Sequence, residues 1–239
     1  MKVKKQGRRS AETAQETKKQ ILCTAMILFC EQGYQRVSLR NISDVAGVSH
    51  SLIRYHFGSK EQIWYAVSDQ LHEYIQEYVL RLIAQLPENI NANTRLYLFS
   101  VRLLAHMLLE PKPIQFAADM VRQEDKFLDY FVDSHGQIEQ GIGELIDLYN
   151  IQNPDNKTSL WEQKWMIIMS AHATHSLRPF MVEDWKVASI TEESSLLTHW
   201  RIFNKQTALL LGVKKEDMIH PEQLSSLLVE MEPCTMTVA

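Results

Sequence analysis

The sequence predicts an all-α fold, and three observations predict it. Apolar residues recur at helical spacing along most of the 239 residues. No stretch alternates as a half-buried strand would, and no Asn-Gly, Asp-Gly or Gly-Gly hairpin dipeptide occurs. The composition, 45% hydrophobic and 23% charged with 8 Gly and 7 Pro, is that of a chain with a real core rather than a disordered one.

Taken in order, residues 1–16 are polar and carry Lys2, Lys4, Lys5, Arg8 and Arg9, which reads as a flexible basic arm. Ile21, Leu22, Ala25, Leu28 and Phe29 then recur at helical spacing up to Gly33. Ser38 caps a short second helix with an inward face of Leu39, Ile42, Val45 and Ala46, and Gly47 ends it. Ser49 caps a third helix that buries Leu52 or Ile53 together with Phe57. Gly58 breaks that helix, and Ser59 with Glu61 and Gln62 opens a long fourth.

Residues 94–109 are apolar on most sides, as in a central buried helix. Pro111 and Pro113 make a break before helices over 114–122 and 125–149. Asn153-Pro154-Asp155-Asn156 is a loop. Two further helices, 158–178 and 194–211, are separated by Pro179 and a polar segment.

No apolar run reaches the roughly 18 residues of a membrane span, and no signal peptide is legible, so the expected location is the cytoplasm and no membrane partner is expected. The three cysteines agree. Cys23 and Cys30 fall about 10 Å apart along one helix, too far to bridge, Cys234 lies in a polar tail, and no C-x-x-C occurs.

The net charge of −4 conceals an asymmetry: residues 1–60 hold 11 Lys+Arg against 4 Asp+Glu, and the remainder is acidic. A basic front end suggests a polyanionic partner. Residues 38–57 have the anatomy of a helix-turn-helix, with Gly47 at the turn. With Ile53 and Phe57 inward, His50, Ser51, Arg54 and Tyr55 take the opposite face. Arg54 can fork onto guanine O6 and N7, and His50 and Ser51 can reach base edges. Tyr55 and His56 suit phosphates. Lys60 at the start of the fourth helix would help hold the backbone; Ser38, Arg40 and Lys18 are weaker candidates, and Ser49 at the start of the third helix is counted with the DNA-binding residues. Lys5, Arg8 and Arg9 would enter an adjacent minor groove.

Ser38-Leu39-Arg40-Asn41-Ile42-Ser43-Asp44-Val45-Ala46-Gly47-Val48-Ser49 and Leu52-Ile53-Arg54-Tyr55-His56-Phe57-Gly58-Ser59-Lys60-Glu61 resemble the N-terminal signature of the tetracycline-repressor (TetR) family. The resemblance covers roughly residues 17–66. Two positions depart from it, Ser51 where Gly or Ala is common and Arg54 where Tyr often stands. The resemblance implies a homodimeric transcriptional regulator, usually a repressor, in which a ligand in the C-terminal domain shifts the spacing of two DNA-reading heads on a palindromic operator. The expected domains are the arm, 1–16, a helix-turn-helix DNA-binding domain, 17–60, and a helical ligand-binding and dimerisation domain, 61–239.

In that second domain, polar groups in apolar company mark a pocket for an unknown small-molecule effector. Its candidate residues are Phe99, Arg102, His106, Phe116, Met120, Trp165, Met169 and His172. The last two helices resemble the family's dimer-forming pair, with Ala173, Leu196, Trp200, Phe203, Thr207 and Leu210 at the interface. A competing reading keeps the DNA-binding head and gives the body no ligand. An enzyme reading has no supporting motif, so no catalytic residue is assigned. His172 and His175 have no third ligand at fitting spacing, so neither a metal nor a cofactor is expected.

Overall fold

A computed structural model describes residues 6–121, 123, 125–132, 136–184 and 192–231. Every regular element among them is helical: α1 (Gln6–Gln32), α2 (Leu39–Ala46), α3 (His50–Phe57), α4 (Lys60–Ala84), α5 (Ala92–Leu109), α6 (Lys112–Met120), α7 (Asp125–Val132), α8 (Gly136–Gln152), α9 (Leu160–Asp184) and α10 (Glu192–Leu210). Short 3-10 turns stand at Tyr34–Arg36, Lys215–Asp217 and Leu224–Leu227. No described helix is long and apolar enough to cross a membrane.

Some boundaries differ from the expectation. Residues 6–16 are the first turns of α1 rather than a flexible arm, since Ala11, Glu12, Ala14, Gln15 and Glu16 favour helix and nothing breaks it. Lys5 and Cys234 lie outside the described residues; of Arg8 and Arg9 only the helical backbone is described. The helix expected over 125–149 is two, α7 and α8. α9 runs on through Pro179, the expected stop, to Asp184.

Two cores organise the molecule. In the first, Ile21, Met26 and Phe29 of α1 close over Ile42, Ile53 and the first half of α4. Phe116 and Met120 of α6 and Phe127 of α7 belong to it as well, with Trp64 stacked on Phe116 at 5.1 Å. The second core is built on α5, whose Leu96, Tyr97, Phe99, Val101 and Leu104 are fully buried. Around it lie the far half of α4, α8, α9, α10 and the C-terminal segment with buried Leu224 and Val229. α4 therefore contributes its first half to one core and its second half to the other.

Candidate nucleic-acid interface

Local chemistry fixes the helix-turn-helix. The Ser38 hydroxyl accepts the Asn41 N–H at 3.1 Å, and the Asn41 side chain accepts the Ser38 N–H at 2.9 Å, a reciprocal cap on α2. Gly47 ends α2 at φ 65°, ψ 26°, the left-handed conformation that costs least when there is no side chain. The buried Ser43 hydroxyl donates to Val48 O at 2.6 Å, pinning the turn. Gln20 of α1 donates to Ala46 O at 2.8 Å, holding the end of α2 against the first helix. Ser49 caps α3 by accepting the Leu52 N–H at 3.3 Å and shares a 2.9 Å hydroxyl contact with Ser51.

On α3, Ile53 is 1% exposed and anchors the helix, whereas Tyr55 is 80% exposed. His50, Ser51 and Arg54 are exposed too; His56 and Phe57 are half-buried, with Phe57 against the head core. Between Leu52 and Ile53, the sequence leaves open which is buried; Leu52 is the outer one, at 40% exposure. Val45, expected inward on α2, is 65% exposed, because Ile42, Ser43 and Ala46 take the packed side of that short helix.

The cations around the helix divide. Lys18 lies 5.8 Å from the Phe57 ring, and Arg40 pairs with Asp44 at 3.8 Å in solvent. Lys60, expected to hold phosphate, donates to Tyr34 O at 2.9 Å and Val37 O at 3.0 Å and sits 3.9 Å from the Tyr34 ring centre. Burial pulls its pKa below the ordinary lysine value. Two of its three N–H groups thus hold the turn after α1 against α4, a structural task that no spacing in the sequence signals.

The expected pocket residues do not converge. Phe99 lines an apolar cavity of about 150 Å³ with Ile75, Val79, Leu103, Ile114 and Ile142. Phe116 and Met120 are in the head core. Arg102 turns away, donating from Nε to Leu227 O at 2.9 Å and from Nη2 to Gln85 Oε1 at 3.3 Å. His106 is buried and stacked on Tyr78, ring centres 3.6 Å apart, and burial pushes its pKa down to about 4. Trp165 and Met169 are exposed, and His172 lines a polar cleft between α1, α6 and α9.

The interface residues also divide. Leu196, Trp200, Phe203 and Thr207 are buried within the chain itself, Trp200 donating its indole N–H to Val101 O at 2.7 Å. They are core because α10 turns this stripe toward α5. Ala173 and Leu210 are exposed.

The model for "Bacterial regulatory proteins, tetR family" matches residues 21–67. The chain is 41% identical over 66 residues to the HTH-type transcriptional regulator TtgR of Pseudomonas putida, covering 28% of this chain and 31% of that protein. The chain thus spans about a third of that relative's length in the match. It is 27% identical over 151 residues to the HTH-type transcriptional regulator AcrR of Shigella flexneri, covering 59% of this chain and 69% of AcrR. Among solved structures, the fatty acid degradation regulator FadR from Bacillus halodurans aligns with TM-score 0.59 at 14% identity, over 83% of this chain and 96% of that one. A tetR-family regulatory protein from Rhodococcus RHA1 aligns with TM-score 0.54 at 17% identity, over 82% and 96%. Residues 21–67 thus carry the signature of the tetR family of bacterial regulatory proteins, and the chain has the fold of these solved structures.

Proposed function

We propose that the protein is a DNA-binding transcriptional regulator of the cytoplasm, a ligand-responsive repressor that acts as a homodimer on a palindromic operator. The observation that carries this reading is the face α3 turns to water: Ile53 locks the helix down while His50, Ser51, Arg54 and Tyr55 are exposed on the side that would enter a major groove. Arg54 reads guanine, His50 and Ser51 meet base edges, and Tyr55, His56 and the capped start of α2 at Ser38 meet phosphates. Lys60 supports this surface by holding the turn behind it.

One short helix reads few bases, and pairing about a twofold axis doubles the readout. α9 carries two apolar stripes. Ile167 and Ala171 face the core, and Trp161, Trp165 and Met169, spaced i, i+4, i+8, face water with the two indoles stacked 5.4 Å apart. A helix apolar on both sides is suited to burial on both, and the outer stripe, with Ala173 and with Ile202 and Leu209 of α10, is the proposed dimer face. The cavity beside Phe99 supports the ligand reading. Apolar cavities of this order stay dry and admit small apolar guests, and this one is walled by α4, which leads to the head, and by α6, which touches it.

Fluorescence anisotropy with duplex DNA from around the coding locus, over a salt series, tests the reading. Log affinity falls linearly with log salt, at about 0.9 per phosphate neutralised, for a head that clamps several phosphates. A flat response contradicts it.

A further inference from the structure

Of the described large apolar and aromatic side chains in residues 13–79, three are exposed: Val45, Leu52 and Tyr55. All three lie on the helix-turn-helix. Leu52 is not frayed outward, because its N–H is held by both the Ser49 hydroxyl at 3.3 Å and the Ser49 carbonyl at 3.0 Å. Leu52 and Tyr55 are i, i+3 neighbours, so they form one strip along α3, while His50 and Arg54, i, i+4, form a second, polar strip beside it. The helix thus offers duplex DNA both hydrogen-bonding groups and a segregated apolar edge.

An apolar edge beside the polar strip of α3 marks a contact, and the chemistry of the groove says with what. In the major groove the base edges present donors, acceptors and a single apolar group, the C5-methyl of thymine. We infer that Leu52 is a specificity-determining residue that reads thymine C5-methyl groups, so that each operator half-site places thymine beside the base pair that Arg54 reads. The inference rests on the DNA-binding reading and goes beyond it by naming the base and the atom recognised. Ser51 cannot substitute for this contact: its hydroxyl is shared with Ser49, and it has no apolar group to offer.

The test uses the full chain and a duplex selected from a random pool. Each thymine of the selected half-site is replaced in turn by deoxyuridine, which deletes the methyl group and leaves every hydrogen-bonding atom in place. One methyl withdrawn from water at about 0.8 kcal/mol corresponds to about a four-fold loss of affinity at one or two thymines. Leu52→Ala binds the thymine and deoxyuridine duplexes equally well, and Leu52→Met, which keeps an apolar chain of similar volume, retains the discrimination. Uniform affinity of the unaltered protein for all substituted duplexes overturns the inference, as does a four-fold loss that persists in Leu52→Ala. Failure of the selection to enrich any duplex overturns the DNA-binding reading itself, and this inference with it.

Discussion

The carboxylate of Asp119 on α6 accepts the backbone N–H of Tyr34, the residue that follows α1 and Gly33, at 2.8 Å. The same carboxylate accepts from Gln123, whose side chain also receives the Gln35 amide, so a small network of amides and one acid fastens α6 to the exit of the first helix. The contact needs Gly33: a Cβ there would stand 2.6 Å from Asp119 Oδ1, and the backbone at φ 81°, ψ 153° lies in a region that side chains avoid.

Gly33→Ala is therefore expected to destabilise the protein by about 1–3 kcal/mol, from backbone strain and from displacement of Asp119. Pairing it with Asp119→Ala removes the clash but not the strain, so the double variant recovers part of the loss beyond Asp119→Ala alone. Urea unfolding of the four proteins measures both terms; strict additivity would mean that the two residues do not meet.

His106 makes acid stability a second test. Burial between α4 and α5 lowers its pKa from 6.5 to about 4, so the unfolded chain binds a proton in a range where the folded chain does not. Its contribution is complete above pH 6.5 and is lost as pH falls toward 4, amounting to about 3 kcal/mol. His199, lowered first by burial and then by His175, acts in the same direction. His106→Phe, which keeps the stack on Tyr78, is expected to flatten the fall in stability between pH 6.5 and 4.5. An unchanged slope would place the acid sensitivity elsewhere.

Three tryptophans test the proposed dimer face against the core. Trp161→Glu with Trp165→Glu is expected to leave the helical signal intact and to yield a monomer by sedimentation, because both rings are more than half exposed in the chain. Trp200→Ala, by contrast, empties a fully buried site and is expected to cost about 3–5 kcal/mol. A Trp161→Glu/Trp165→Glu protein that still dimerises would move the interface off this stripe.

These contrasts indicate what a sequence can carry. The helix-turn-helix is legible because Ser38, Gly47, Ser49 and Ser59 act through neighbours three or four residues away, and capping and turn rules operate at that range. Trp165 and Trp200 have no such signal. Each is a tryptophan at helical spacing among apolar residues, and only the packing of α9 and α10 on α5 decides that one faces water and the other the core. Phe99 and Phe116 are likewise alike in sequence yet belong to different cores, since α6 packs against α1 and α4. Arg102 is an arginine on an apolar helix, which suggests a pocket; the chain answers it with the Leu227 carbonyl, 125 residues away and beyond the reach of any local rule.

The most direct measurement of the central claim, that the exposed side of α3 reads bases, is the affinity of Arg54→Ala for a selected duplex and for random DNA at one salt concentration. A base-reading Arg54 predicts a loss of about 1–3 kcal/mol on the selected duplex, relaxed preference at one base pair of each half-site, and little change on random DNA. Equal losses on both duplexes would make Arg54 a phosphate contact and contradict the claim.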